Sequence, residues 1–150
     1  MIINGNDPYD LDRFVQVQTH NFDIALVEIA SGRKRSHWMW YIFPQFAGLG
    51  FSAMSQRYAI RSAAEAQAYL NHPILGPRLM QCCKALLAIN GRSAHEIFGS
   101  PDDMKLQSCA TLFASITPVD SVFARVLKQY FSGQRDQKTL NMLNVATEEK

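Results

Sequence analysis

The densest run of chemically capable side chains lies between Arg33 and Gln45. There Arg33-Lys34-Arg35 leads into Ser36-His37-Trp38-Met39-Trp40-Tyr41-Ile42-Phe43-Pro44-Gln45, which holds both tryptophans of the chain. His37 suits a general acid or base or a donor to an anion, roles that imidazole commonly takes. Its alternative is packing on Trp38 or Trp40 with a hydrogen bond to a carbonyl. Arg33 and Arg35 suit bidentate binding of phosphate or carboxylate, or a stabilising meeting with the carbonyl end of a preceding helix. Trp38 and Tyr41 offer faces for stacking on a ring, although large aromatics also bring the greatest gain when buried in a core. Gln45 sits beside an apolar run, where a buried amide needs partners, so it either fixes the loop or reads a ligand.

A connection from Gly48 to Tyr58 follows, rich in hydroxyl, amide and cationic groups, and long loops inside small domains are often functional. Arg57 and Tyr58 are its candidates for an anion or ring site. The favoured reading is a pocket where Arg33–Gln45 meets Ser52–Tyr58, with His37 as catalytic candidate and Arg33, Arg35, Trp38, Tyr41, Gln45, Arg57 and Tyr58 as ligand-binding candidates. A small anionic metabolite or a nucleotide suits such groups. The competing reading is a non-catalytic protein–protein interaction module, with the aromatic residues as an exposed anchor and the basic residues on its rim. Nothing in the residues names a reaction, a cofactor or an oligomeric state.

Other chemistries lack their signatures. Ser52 and Ser55 have no G-x-S-x-G setting, and no phosphate-cradling loop or dinucleotide fingerprint occurs. Cys82, Cys83 and Cys109 form neither a disulfide framework nor a C-x-x-C zinc pair, so no metal site is expected. Asp102 and Asp103 read as acids near the positive end of a helix, with Lys105 positioned to pair with either. A formal charge of +2 argues against nucleic acid, whose binders carry a concentrated basic face. No run approaches the ~20 apolar residues that span a bilayer, and the start of the chain lacks signal-peptide features. A cytoplasmic location is expected.

The elements that must position these residues are helical. Leu11, Phe14, Val15 and Gln18 share one stripe, with Asp10 as a possible cap. Phe22, Ala25, Leu26 and Ile29 share another, closed by Gly32, in two helices or one bent across His20-Asn21. Ser36 is placed to cap a short helix ended by Pro44. Ser62-Ala63-Ala64-Glu65 and Ser93-Ala94-His95-Glu96 have the capping-box form. Pro73 ends the first of these helices, and a longer one follows with Leu75, Leu79, Cys82 or Cys83, and Leu86 inward. Ser100-Pro101 and Thr117-Pro118 each read as a cap followed by proline at the first helical position, the second opening a stripe of Val119, Phe123, Val126, Leu127 and Tyr130. Asp136 caps a last helix through Leu140 and Leu143. Strand signals are scarce. The expectation is an all-α, single-domain bundle of seven or eight short helices over 1–150, orthogonal rather than up-down, with fraying at 1–7 and 145–150.

Beyond periodicity, the run from Arg33 to Gln45 resembles the signature of bacterial proteins grouped as domain of unknown function family 1810. The likeness continues through Gly48-Leu49-Gly50, Met54-Ser55, Tyr58-Ala59-Ile60, Ala68-Tyr69-Leu70, His72-Pro73 and Leu75-Gly76. It reaches Glu96-Ile97-Phe98-Gly99, Pro101-Asp102-Asp103, Lys105 and Thr111-Leu112-Phe113. The resemblance implies a mainly helical fold and carries no established reaction. Some members bear the label calpastatin, but nothing in this chain resembles that repetitive, disordered inhibitor.

Overall fold

Helix α1 (Asp12–Ala30) runs unbroken through His20-Asn21, so the two apolar stripes belong to one helix. The structure, a computed structural model, describes residues 7–148, with side chains through Asn144. The expected fraying at 1–6, 149 and 150 lies outside the described residues. Asp7 is ordered: its carboxylate accepts the backbone N–H groups of Leu11 and Asp12 at 2.7 and 3.0 Å. That is the capping role expected of Asp10, which instead takes a left-handed turn at φ 52°. At the other end Gly32, φ 81°, lets the Arg33 N–H return to the carbonyl of Glu28 at 3.1 Å. A residue with a Cβ is strained there.

Eight more helices follow among the described residues: α2 (Met39–Ile42), α3 (Ala53–Arg57), α4 (Ala63–Asn71), α5 (Leu75–Leu87), α6 (Ala94–Phe98), α7 (Asp102–Ala114), α8 (Val122–Phe131) and α9 (Gln137–Glu148). The total of nine exceeds the expected seven or eight because short turns fill the 33–58 region, where periodicity is uninformative. Helix α5 is central, packing on α1, α4 and α8, while α7 packs on α6, α8 and α9. Leu75, Leu79, Cys82, Cys83 and Leu86 are all buried on the inner side of α5. Burial pushes the Cys82 thiol up to about 12, so these thiols are packing groups rather than nucleophiles.

Several caps differ in detail from the sequence expectation. Ser93 and Glu96 form the reciprocal capping box. Ser62 receives the Glu65 N–H, but the Glu65 carboxylate accepts from Arg61 N–H at 3.0 Å and pairs with Arg13 at 2.9 Å. Ser36 does not cap α2; its N–H and hydroxyl both go to Glu28. Ser100 does not cap α7, where Pro101 holds the cap position after a cis Ser100-Pro101 bond. Ser121, not Thr117, caps α8. Residues 117–121 are therefore a turn, and Val119, expected on the inner stripe, is 91% exposed. Asp136 caps α9 as expected, accepting the Thr139 N–H at 3.0 Å.

One extended contact matters for the site. Phe46 and Ile60 form an isolated parallel bridge, in which Ile60 N–H donates to the Gln45 carbonyl at 2.9 Å and Ala47 N–H to the Ile60 carbonyl at 2.8 Å. This fastens the backbone of Gln45 between the two halves of the candidate segment.

Candidate functional site

Glu28 organises the segment after α1. Its Oε1 accepts the N–H groups of Arg35 and Ser36 at 2.7 and 2.9 Å and the indole N–H of Trp38 at 2.9 Å. Its Oε2 accepts the Ser36 hydroxyl at 2.6 Å. Burial alone would raise the carboxyl pKa, but these four donors outweigh it and carry it down to about 2, as charge-assisted hydrogen bonds to an anion do. The arrangement turns the chain away from α1 and seats the 1% exposed Trp38 against Phe43 and Phe98.

Lys34, the middle member of the basic triplet, folds inward. Its ammonium lies 2.9 Å from Asp102, donates to the Ser36 carbonyl at 2.6 Å and sits 5.0 Å from the Trp38 ring centre. Lys105 reaches the other oxygen of Asp102 at 3.0 Å and lies 4.5 Å from the centre of the Trp40 ring. Burial opposes ionisation of Asp102, yet its two lysine partners hold its carboxyl below the usual range. It is thus a charged bridge and a poor proton acceptor.

Around this bridge lie two adjoining cavities that share Trp40 and Lys105 as walls. The outer one, about 240 Å³, brings together Lys34, His37 and Asp102 with Ser52 and Met54 of the downstream loop. The inner one, about 310 Å³, is lined by Gln45, Gly50, Ser108, Asp136 and Lys138 among others. Gly50 lets the Trp40 ring come close: a Cβ there would sit 2.7 Å from the indole. Gln45 is 3% exposed, and its Nε2 has no hydrogen-bond partner. Buried amide donors are seldom left so, and the bridge to Ile60 prevents the backbone from relaxing around this one.

The sequence candidates separate. His37 is exposed on the outer cavity and Gln45 is buried on the inner one, so Trp40 and Lys105 stand between them. Arg57 lines a different depression of about 500 Å³ with Arg13 and Arg61. Arg33 and Arg35 are exposed. Trp38, Tyr41 and Tyr58 are core residues at 1, 4 and 6% exposure. Tyr41 hydrogen-bonds the His37 carbonyl and packs on Tyr58. Trp40, Lys34, Asp102 and Lys105, none of them among the expected ligand-binding residues, are assembled by the fold into walls. The three-residue spacing of Asp102 and Lys105 was a readable sign of their pairing. Ser108 and Lys138 carried no sign in the sequence, because their role depends on how α7 meets α9.

Among the described residues no group of three or more His, Cys, Asp or Glu could hold a metal ion, and no helix is long and apolar enough to cross a membrane. Fold and site together define an all-α domain bearing a groove walled by tryptophan and lysine. The family described as protein of unknown function (DUF1810) matches residues 8–143, and the chain belongs to that family. It is similar to the conserved hypothetical protein Rv1873 from Mycobacterium tuberculosis, known from a crystal structure. The two share 48% identity and a TM-score of 0.90, with 92% of this chain and 99% of that chain covered. No curated protein matches.

Proposed function

We propose that this protein binds a small ligand carrying an anionic group and a ring, held in the groove on either side of Trp40 and Lys105. The observation that carries this reading is the unpartnered Nε2 of the buried Gln45 on the inner cavity. A donor left without an acceptor costs about 1–3 kcal/mol, and a ligand oxygen would recover that cost on binding. Charge agrees in sign. Three lysines (Lys34, Lys105 and Lys138) line the two cavities against two carboxylates. One of these, Asp136, is occupied with Thr139 and Ser108. The half-buried Trp40 offers a ring face. His37, at the rim of the outer cavity, is placed to orient a ligand or exchange a proton with it.

The aromatic anchor required by an interaction module is weakened by the burial of Trp38, Tyr41 and Phe43, so the small-ligand reading is preferred. It is tested by thermal unfolding in the presence of adenosine monophosphate, inorganic phosphate and a set of aromatic carboxylates. A ligand at a hundred times its Kd stabilises by about 2.7 kcal/mol, which raises Tm by roughly 5–10 °C for a chain of this size. The rise should vanish in Gln45→Met and Lys105→Met. Absence of any shift across the set at millimolar concentration overturns the proposal.

A further inference from the structure

The groove continues past the inner cavity. A third cavity of about 490 Å³ adjoins it and shares Leu49 and Lys138 with it, and its remaining walls include Phe51, Asn141 and Met142. The three run in order, with Trp40 and Lys105 at one junction and Leu49 and Lys138 at the other. The middle carries the Gln45 amide and both junction lysines, while the Ser108 hydroxyl is already donated to Asp136 and the Met104 carbonyl. Each end carries flat or apolar surface, in the outer cavity beside the polar groups Lys34, His37, Ser52 and Asp102. Trp40, Met39 and Met54 lie on one side, and Leu49, Phe51 and Met142 on the other. Phe51 is 89% exposed, and Met54 and Met104 on the groove's rim are 42 and 61% exposed. Exposed apolar side chains thus accompany all three cavities.

Resting on the reading above, we infer that the ligand is two-ended: an anionic diphosphate bridge in the middle cavity with a planar ring in each flanking one, the chemistry of a dinucleotide. The middle cavity is lined by the Gln45 amide and by two lysines, Lys105 and Lys138, against one carboxylate, Asp136, so an acceptor-rich anion suits it. Two lysines at the two junctions match two phosphates better than one. Taken singly, the outer and middle cavities fall below or at the lower limit of ordinary ligand pockets, roughly 300–1,000 Å³. A ligand that spans the junctions uses all three.

Calorimetric titration of the full chain with diadenosine diphosphate, adenosine monophosphate and inorganic pyrophosphate tests this. The dinucleotide should bind at least about tenfold more tightly than either fragment, because linking two binding groups makes the second contact intramolecular. Phe51→Ala, at an exposed position where folding is insensitive, should remove that advantage and bring the dinucleotide to the affinity of the monophosphate. Binding of the monophosphate with no gain for the dinucleotide overturns the two-ended ligand and leaves the anion-and-ring site standing. Equal affinity of the dinucleotide for the wild type and Phe51→Ala likewise overturns it. No binding of any of the three overturns the dinucleotide, and the aromatic carboxylates of the thermal panel then decide the broader reading.

Discussion

Removing the Glu28 carboxylate should loosen the segment that forms one wall of the groove, and the structure lets the size of the effect be worked out. Glu28→Gln keeps an oxygen for the three donors at Oε1 and places an NH₂ where the Ser36 hydroxyl can accept from it. What is lost is charge. The depression of the carboxyl from its ordinary 4.5 to about 2 corresponds at face value to about 3 kcal/mol. Glu28 is half-exposed, and solvent screening reduces this to about 1–2 kcal/mol. Glu28→Ala also strips the acceptor from the indole N–H of the fully buried Trp38, adding about 1–3 kcal/mol, whereas the backbone N–H groups of Arg35 and Ser36 can turn to water.

The assay is urea unfolding followed by tryptophan fluorescence and far-UV circular dichroism, first at pH 7 and then in acid. Because the folded-state pKa is depressed, the contribution of Glu28 is fully present above the ordinary carboxylate range. It is lost as pH falls from about 4.5 towards 2, since the unfolded state takes up the proton first. The stability gap between wild type and Glu28→Gln should therefore narrow over that window. Glu28→Ala lying within about 0.5 kcal/mol of wild type at pH 7, the range of ordinary surface substitutions, would refute the reasoning. So would a gap that does not change in acid.

Two further outcomes follow from local geometry. Gln45→Met removes a buried donor that has no partner while keeping the side-chain volume, so the unliganded protein should be as stable as wild type or more stable, by about 1 kcal/mol. A loss of more than about 1 kcal/mol in urea unfolding would show that the amide is satisfied in the folded state. Gly76→Ala should destabilise although alanine is the better helix former by about 1 kcal/mol, because its Cβ would lie 2.1 Å from the Leu70 carbonyl oxygen. Separating α4 from α5 costs about 3 kcal/mol or more, a fall in Tm of roughly 4–8 °C net. An unchanged or raised melting temperature would contradict the contact.

Local rules made much of the helical fold legible. The serines before α4 and α6 accept the N–H groups their spacing promises, Asp136 caps α9, and the stripe of α5 is buried where period 3.6 puts it, since these depend on residues within four positions of one another. The local signal at Thr117-Pro118 points to a start for α8 four residues before the one the fold uses, Ser121, which leaves Val119 in solvent. The candidate site can be read from the sequence as a stretch of residues but not as an arrangement in space. Residue types alone placed chemistry between Arg33 and Gln45, and the exposed His37 and the buried, unpartnered Gln45 amide both fall there. Which basic residue turns inward was decided by Asp102, sixty-eight positions after Lys34, and which tryptophan faces the groove by the Glu28 bond to Trp38 and the bare Cα of Gly50 beside Trp40. Charge, ring and amide are properties of single residues and can be read along a chain. A cavity is a relation among surfaces brought together from α2, the loop after it, α7 and α9, and only tertiary packing creates it.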